Sequence, residues 1–236
     1  MIKFFRKIRY DLIEKNKTGK YLKYAIGEII LVVVGILIAL QINNWNENRK
    51  NRLLEKELLK EIKLDLVTDT IQMNGRFYRA YNDLVKSIRV YDSITKLDDL
   101  KIDVTYLDSI FKRCIRQRST FFPTSGTYSS IVSNGNSNIF SNKKLFKEIQ
   151  NLYDFAYRVT LESGNRIDNF SDKIRYQYNY IETLSNSERL ILYKKPKIRN
   201  EIDFWFNEYN HFKGLIDFNL DRLNKVFPKI DEEITN

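Results

Sequence analysis

The pattern of hydrophobic and polar positions changes abruptly near the start of the chain, where a continuous apolar run precedes helical periodicity. Residues 25–42 read AIGEIILVVVGILIALQI and contain one charged side chain, Glu28. As an α-helix, this run extends about 27 Å, close to the thickness of the hydrocarbon core of a bilayer. The pattern therefore predicts a transmembrane helix over residues 25–44.

The flanks of the apolar run help to separate a membrane anchor from two alternatives, a buried core helix of a soluble protein and a cleaved signal peptide. Tyr21 and Tyr24 precede the run and Trp45 follows it, which are the positions where interfacial aromatic residues occur. Around Ala39, a small-x-small cleavage site is missing. We therefore expect an uncleaved anchor.

The distribution of basic residues predicts the orientation of this anchor. Eight Lys and Arg residues precede the run, and four lie in the fifteen residues after Ile42. Cytoplasmic flanks carry the excess of basic residues. We expect a basic cytoplasmic segment over residues 1–24, in the inner membrane of a bacterium, with residues 45–236 in the periplasm. Phe4, Phe5, Ile8 and Leu12 share one helical face, so the start of the chain forms either a helix on the membrane surface or a disordered basic tail.

Within the predicted span, one helical face carries Glu28, Gly35 and Ala39. Gly35 and Ala39 form a small-xxx-small pair, which permits close approach of a second helix. These three residues are our candidates for contact with another membrane helix, from a second copy or from a different protein. The alternative for Glu28 is a place at headgroup depth near Lys23, outside any contact.

After Trp45 the apolar residues recur at helical spacing. The first helix is predicted to continue to about Ile94, with a face near the membrane and then an a/d-like seam. The face consists of Leu54, Leu58, Ile62 and Leu66, and the seam consists of Phe77, Tyr81, Leu84, Ile88 and Tyr91.

Three further helices are predicted, over residues 104–116, over 142–184 and from Pro196 onward. Asp103 is a plausible cap, Gly164 is expected to weaken the second helix, and Pro228 to kink or end the third. Residues 185–187 form a turn. Since no run shows a period of two, the predicted fold is all-α: one transmembrane helix continuing into an extramembrane bundle of long antiparallel helices. Periodicity leaves open an extended coiled coil, but the many Phe and Tyr residues favour a packed core.

The net charge of the chain changes this picture little. The formal charge is +10, and residues 1–24 account for +6 of it through eight basic and two acidic side chains. Two smaller basic groups remain, Lys112, Arg113, Arg116 and Arg118, then Lys194, Lys195, Lys197 and Arg199. We interpret both as solvated surface and expect no nucleic-acid partner, because no nucleic-acid-binding module accompanies them.

The chain offers little material for catalysis. It has one His, His211, and one Cys, Cys114, so one chain cannot build a His/Cys metal cluster or a redox pair. Phosphate-binding, dinucleotide-binding and hydrolase motifs are missing from the sequence. We expect no cofactor, no metal and no enzymatic activity, with Cys114 as a core thiol, or as a bridge between two copies if it is exposed.

The segment from Thr120 to Asn142 is uncharged and rich in Ser, Thr, Asn and Gly, in a chain that is otherwise heavily charged. Small hydroxyl and amide side chains can line a pocket for a neutral ligand, or they can simply satisfy a connection between helices. The candidate binding residues are Ser125, Thr127, Tyr128, Asn134 and Asn136. The alternative is a connection with a short helix over 127–133 and a turn at 134–135.

Three stretches resemble a family of uncharacterised bacterial membrane proteins with one span. They are MIKFFRKIRY at 1–10, KYLKYAIGEIILVVVGILIALQINNWNE at 20–47 and TYSSIVSNGNSNIFSNKKLFKEIQNLYD at 127–154. The last block departs from the family pattern, because Leu152 stands beside Tyr153 where the family often has two aromatic residues. The resemblance implies the same topology and adds no activity.

These observations lead to three functional hypotheses. The first is a membrane-anchored scaffold that binds other envelope proteins or a second copy, with the lipid bilayer as its other partner. The second is an extracytoplasmic ligand sensor, which would signal through a partner's transmembrane helix because only 24 residues precede the span. The third is a hydrolase that uses carboxylates alone, which the long amphipathic helices disfavour.

Overall fold

The fold is all-α. The computed structural model describes residues 18–115 and 121–235, and within these ranges it contains no β-strand. The surface helix predicted for the first fifteen residues, and the basic residues Arg116 and Arg118, lie outside the described residues. The chain divides into two compact units, Met1–Leu54 and Glu55–Asn236.

The described part of the first unit is helical, and its large apolar side chains are exposed. Helix α1 begins at Thr18 and ends at Ile71. Its most apolar window of 18 residues has a mean hydropathy of 2.6 and no buried residue, which makes this the one described helix that is long and apolar enough to cross a membrane. A core helix of a soluble protein would bury such a window in its own chain, and this window is not buried.

The second unit contains the end of α1 and the remaining helices. These are α2 (Tyr78–Ile94), α3 (Val104–Ile115), α4 (Gly126–Ser133), α5 (Lys143–Asn151), α6 (Arg158–Gln177), α7 (Asn186–Tyr193) and α8 (Pro196–Thr235). Two π-helical turns, Gln72–Phe77 and Leu152–Tyr157, connect α1 to α2 and α5 to α6. Short 3₁₀ turns are described at Asp99–Lys101, Asn136–Ile139 and Asn179–Thr183.

Hydrogen bonds between the long helices show that they run antiparallel, as predicted. Along α1 and α2, Lys63 contacts Asp231, Tyr78 contacts Asp217, and Tyr81 contacts Asn210. Along α6, Thr160 accepts a hydrogen bond from Asn219, and Gln177 donates one to Glu201. In both series the residue numbers on α8 fall as those on the facing helix rise.

Aromatic side chains fill the core between these helices. The ring of Phe77 stacks on Tyr209 with centroids 5.6 Å apart and meets Phe212 edge-on at 5.2 Å. Trp205 is fully buried and stacks on Phe170. The seam predicted along α2 therefore packs inside this chain, with Phe77, Leu84, Ile88 and Tyr91 buried and Tyr81 partly buried.

The buried face of α1 differs from the predicted one. Leu54 is exposed and Leu58 is partly buried, whereas Leu59 is fully buried. The buried face contains the carboxylates Glu55 and Asp69 alongside Leu59, Ile62 and Leu66. The prediction assumed that only apolar residues of α1 face the core. Because Glu55 and Asp69 are buried as well, the buried face lies on a different side of the helix from the predicted one.

The helix predicted over residues 142–184 is present as a continuous helical run from Lys143 to Gln177, but it is not regular throughout and it ends earlier than predicted. The π-helical turn at Leu152–Tyr157 divides it, and α6 ends at Gln177. Gly164 is buried in the middle of α6 without ending it. Helix α7 was not predicted: Ser185 caps it in a capping box with Glu188, where we expected only a turn. Pro228 lies inside α8, which continues to Thr235.

Two predictions for the loops were confirmed, the cap at Asp103 and the short helix followed by a turn in the uncharged segment. Asp103 accepts a hydrogen bond from the Tyr106 N–H, as expected of a cap. The short helix in the uncharged segment is α4, and Gly135 follows it with a φ of 71°, in the left-handed region that favours glycine.

Candidate binding site

The predicted membrane-contact residues lie on α1 in the first unit. A side chain added at Gly35 would meet no atom within 4 Å. Glu28 is half-buried and Ala39 is exposed. The described structure therefore brings no helix against this face, and its contact with another helix stays a prediction.

Three carboxylates of α1 hold the uncharged segment in place. Asp69 Oδ1 accepts a hydrogen bond of 2.8 Å from the Thr124 N–H, and Asp65 Oδ2 accepts one of 3.3 Å from the Thr127 N–H. Glu55 accepts hydrogen bonds from both the N–H and the hydroxyl of Ser141, at 2.8 to 3.0 Å. A segment without charges is thus fixed at three points by charged acceptors, which form stronger hydrogen bonds than neutral ones.

Asp69 is the most buried of these carboxylates. It is 0% exposed, and burial raises its pKa, although the hydrogen bonds from Thr124 oppose this shift. Its Oδ2 atom and the Tyr157 hydroxyl are both buried, and the interaction between these two side chains also opposes the rise of the Asp69 pKa. Burial, followed by the charge of Asp69, also raises the pKa of Tyr157. The Asp69 carboxylate is therefore held where its charged form is disfavoured.

Tyrosine side chains connect the segment to the helices beneath it. The rings of Tyr128 and Tyr153 stack in parallel, with centroids 4.6 Å apart. Tyr153 meets Tyr157 edge-on at 5.3 Å, and Tyr157 meets Phe121 edge-on at 5.2 Å. The Tyr153 hydroxyl donates a hydrogen bond to the Thr124 carbonyl. These contacts hold the uncharged segment against the π-helical turn Leu152–Tyr157.

A groove of about 560 Å³ lies over these tyrosines. One wall comes from the uncharged segment and the other from the π-helical turn and α6. The lining residues are Pro123, Ser125, Tyr128, Ser129, Tyr153, Asp154, Tyr157, Arg158 and Leu161. We refer to this site as the tyrosine groove.

The tyrosine groove includes two of the five predicted binding residues, Ser125 and Tyr128. Thr127 contributes its backbone N–H to Asp65 instead. Asn134 ends α4 and donates a hydrogen bond to the Ser130 hydroxyl, and Asn136 begins a 3₁₀ turn. Neither asparagine lines the groove, because both come after the last residue of α4, where the chain turns away.

The π-helical turn supplies groove residues that the sequence analysis missed. Tyr153, Asp154 and Tyr157 all belong to this turn, and such turns occur frequently at functional sites. The available signal was the spacing of four residues between Tyr153 and Tyr157, next to the block in which the family pattern has paired aromatics.

The groove combines opposite charges with hydroxyl groups. Asp154 and Arg158 are exposed and lie one helical turn apart, and Ser125 makes no capping hydrogen bond with its side chain. Burial, together with its hydrogen bond to the Asp154 carboxylate, raises the pKa of Tyr128, so this hydroxyl stays protonated and donates to Asp154. This arrangement suits a polar ligand or a segment of another protein with both donors and acceptors.

Neither Cys114 nor His211 lines the tyrosine groove. Cys114 is buried, whereas His211 is exposed. Among the described residues, no group of three or more His, Cys, Asp or Glu is placed to hold a metal ion. In the two basic groups, Lys112 pairs with Asp108 and Glu182, Lys194 with Asp99, and Arg199 with Asp92 and Asp203.

Comparison with known proteins gives a family but no activity. Neither a curated protein sequence nor a solved structure matches the chain. A family model matches residues 28–204, three quarters of the chain, and includes the tyrosine groove and its three carboxylates. The protein therefore belongs to the family of unknown function DUF6090.

Proposed function

We propose that this protein is a scaffold, anchored in a membrane by residues 25–44, whose helical unit binds another protein of the bacterial envelope at the tyrosine groove. The observation that carries the anchor is the apolar window of α1, which has no buried residue. Exposing 18 such residues to water is unfavourable, and the interfacial Tyr24 and Trp45 flank them.

The orientation in this proposal follows from the basic residues. Those before the span outnumber those just after it by eight to four, which favours a cytoplasmic start. The helical unit then lies in the periplasm.

The groove supports binding rather than catalysis as the role of this unit. Its floor is made of tyrosines locked by stacking, and its rim carries Asp154, Arg158 and Ser129. A rigid surface with a few polar groups binds without paying a large ordering cost. The partner segment that fits it offers a basic group to Asp154 and an acidic group to Arg158.

Fractionation and site-specific crosslinking test the two parts of the proposal. The full-length chain should stay in membranes after carbonate washing, and a reporter after Asn236 should be active only outside the cytoplasm. A photo-crosslinking amino acid at Ser129, which lines the groove, should capture one discrete protein. The matched control is Ser133, which is also exposed on α4 but does not line the groove.

Charge reversal gives the crosslinking experiment its specificity. The double substitution Asp154→Lys and Arg158→Glu should reduce capture at Ser129 at least tenfold, because both rim charges are then mismatched. Equal capture at Ser129 and Ser133, or capture unaffected by the reversal, would refute the groove as the binding site.

A second candidate function is the extracytoplasmic ligand sensor. The volume of the groove, about 560 Å³, is in the range of small-molecule sites. The signal would pass to a partner's helix through Glu28, Gly35 and Ala39. Glu28→Gln and Gly35→Leu would then abolish association with that partner while leaving ligand binding at the groove intact, and unchanged association would exclude this route.

A further inference from the structure

The second unit exposes an apolar stripe on the outer side of α1. Leu64 and Ile71 are 67% and 66% exposed, and Val67 is 37% exposed. On a helix of 3.6 residues per turn, these three side chains lie opposite Ile62, Leu66 and Met73, which face the core. The stripe is therefore not part of the bundle.

The spacing of this stripe is that of a coiled-coil seam. Glu57, Leu64 and Ile71 are seven residues apart, and Lys60, Val67 and Asn74 follow them by three. They correspond to the a and d positions of two heptads and the start of a third, of which Leu64, Val67 and Ile71 are apolar whereas Glu57 and Lys60 are charged. The π-helical turn that begins at Gln72 changes the helical period, so the seam ends at Ile71.

The charges beside the stripe are complementary to those of a second, parallel copy. Lys56 occupies the g position of the preceding heptad, and Glu61 occupies the e position of the heptad that begins at Glu57. In a parallel pair of helices, a g residue faces the e residue five positions later on the other helix. Lys56 of each copy therefore faces Glu61 of the other, which gives two attractive pairs beside the layers in which Glu57 and Lys60 each face the same residue of the other copy.

We propose that two copies of this protein associate in parallel through the outer face of α1, with Leu64, Val67 and Ile71 as the apolar seam and Lys56 and Glu61 as the flanking charge pairs. The proposal rests on the membrane anchor of the proposed function. Two copies anchored in one membrane run in the same direction, which is the direction that the charge pattern requires.

Anchoring in a membrane also compensates for the small number of apolar residues in this seam. Two heptads with three apolar residues are too few for a stable dimer in dilute solution. Anchoring in one bilayer raises the effective concentration of the copies and so makes a weak contact sufficient. The second copy is thus preferred over a soluble partner as the occupant of this face.

Cysteine crosslinking of the full-length chain in native membranes tests the contact. Leu64→Cys and Ile71→Cys should give an oxidised dimer at least tenfold more efficiently than Lys86→Cys, which is exposed on α2 away from the stripe. The wild-type chain is the background control, because Cys114 is buried. Equal crosslinking at all three positions would refute the seam.

A charge exchange tests the parallel pairing. Lys56→Glu alone and Glu61→Lys alone each place like charges opposite each other in a dimer of identical chains, and both should reduce crosslinking through Leu64→Cys. Co-expression of the two variants with different tags should restore it, because both pairs are attractive in the mixed dimer. Mixed dimers no more abundant than like dimers would overturn the parallel arrangement.

A third variant separates the failure of this inference from the failure of the anchor. Leu64→Asn with Ile71→Asn should abolish the dimer, yet leave the thermal unfolding temperature of the solubilised chain unchanged, because both side chains are exposed. If the wild-type chain fractionates with membranes but gives no dimer, only the inference fails. If it does not fractionate with membranes, the proposed function fails as well.

Discussion

At the scale of single residues, Asp69 combines a structural role with a buried charge. Its carboxylate accepts the Thr124 N–H while its pKa is raised by burial. Asp69→Asn keeps an acceptor for Thr124 and removes the charge. We expect this variant to be at least as stable as the wild type at pH 8, as measured by urea unfolding of the solubilised full-length chain.

The rise in the pKa of Asp69 predicts how the free energy of unfolding depends on pH. The folded chain protonates Asp69 at a pH where the unfolded chain, with an ordinary value near 3.8, is still ionised. The contribution of Asp69 to the free energy of unfolding therefore rises as the pH falls through the folded-state pKa and levels off below 3.8. The free energy of unfolding of the wild type, relative to that of Asp69→Asn, should therefore rise as the pH is lowered from 8 to 4.5.

A truncation at the same position is the control for the hydrogen bond. Asp69→Ala leaves the Thr124 N–H without its acceptor and should lower the free energy of unfolding by about 1–3 kcal/mol. If Asp69→Asn were as destabilising as Asp69→Ala, the negative charge itself would be required, contrary to the expectation from burial.

Cys114 gives a second prediction at this scale. Its thiol is fully buried, and burial raises its pKa to about 12. Because the thiolate is the reactive form, a maleimide should not label the folded chain at pH 7.5 and should label it fully in urea. Labelling of the folded chain at the rate of a free thiol would show that Cys114 is accessible and would revive it as a bridge between copies.

Residue types predicted part of the candidate site. The uncharged composition around Ser125 and Tyr128 drew attention to a segment that does line a groove. Glu55 and Asp69 could not be identified in the same way, because acidic residues on a long helix are usually solvated. Their burial depends on backbone N–H groups some 55 to 86 residues later in the chain, which no local pattern encodes.

At the scale of secondary-structure elements, the π-helical turn Leu152–Tyr157 shapes the groove wall. Hydrogen bonds from i to i+5 accommodate one residue more than an α-helical turn does. Deleting Phe155, which is 57% exposed in this turn, should allow regular α-helical bonding. We expect a folded chain with an altered groove, measured as cooperative thermal unfolding by circular dichroism together with loss of crosslinking from Ser129.

A deletion outside the turn provides the comparison. Removing Glu162, which is exposed within α6, would rotate the residues after it by about 100° relative to those before. Ile167 and Ile174 would then leave the core, at a cost of about 2–5 kcal/mol each. We expect no cooperative transition for this variant, and similar unfolding of both deletion variants would argue against the extra residue in the turn.

The helices themselves were predictable because their apolar stripes repeat at helical spacing. The π-helical turns were not predictable, because one extra residue shifts the apolar stripe without interrupting it. Residues 142–184 were therefore predicted as one regular helix. Helix α7 is short, and its cap Ser185 is followed by Asn186 and Ser187, a composition that is equally typical of a turn. The S-x-x-E spacing of Ser185 and Glu188 before Leu190 is the signature of a capping box, which the sequence analysis missed and the contact between the two residues reveals.

At the scale of the whole molecule, the buried core lies entirely within one of the two units. Every buried hydrophobic residue described falls between Leu59 and Ile230, and the second unit begins at Glu55. Residues 55–236 should therefore fold without residues 1–54. We expect this fragment to be soluble, monomeric by gel filtration at micromolar concentration, and cooperative in thermal unfolding.

A shorter fragment tests whether the end of α1 belongs to that folding unit. Residues 70–236 lack Glu55, Asp65 and Asp69, which hold the uncharged segment, and the core residues Leu59, Ile62 and Leu66. At about 2–5 kcal/mol each, the loss of three buried aliphatic side chains costs about 6–15 kcal/mol, which is comparable to the whole free energy of unfolding of a typical domain, about 5–15 kcal/mol. This fragment should lack a cooperative transition, and its segment over 121–142 should be cleaved rapidly by protease. Cooperative unfolding of residues 70–236 would mean that the part of α1 after Leu54 is an appendage of the bundle, and the carboxylate contacts would then not be needed to form the groove.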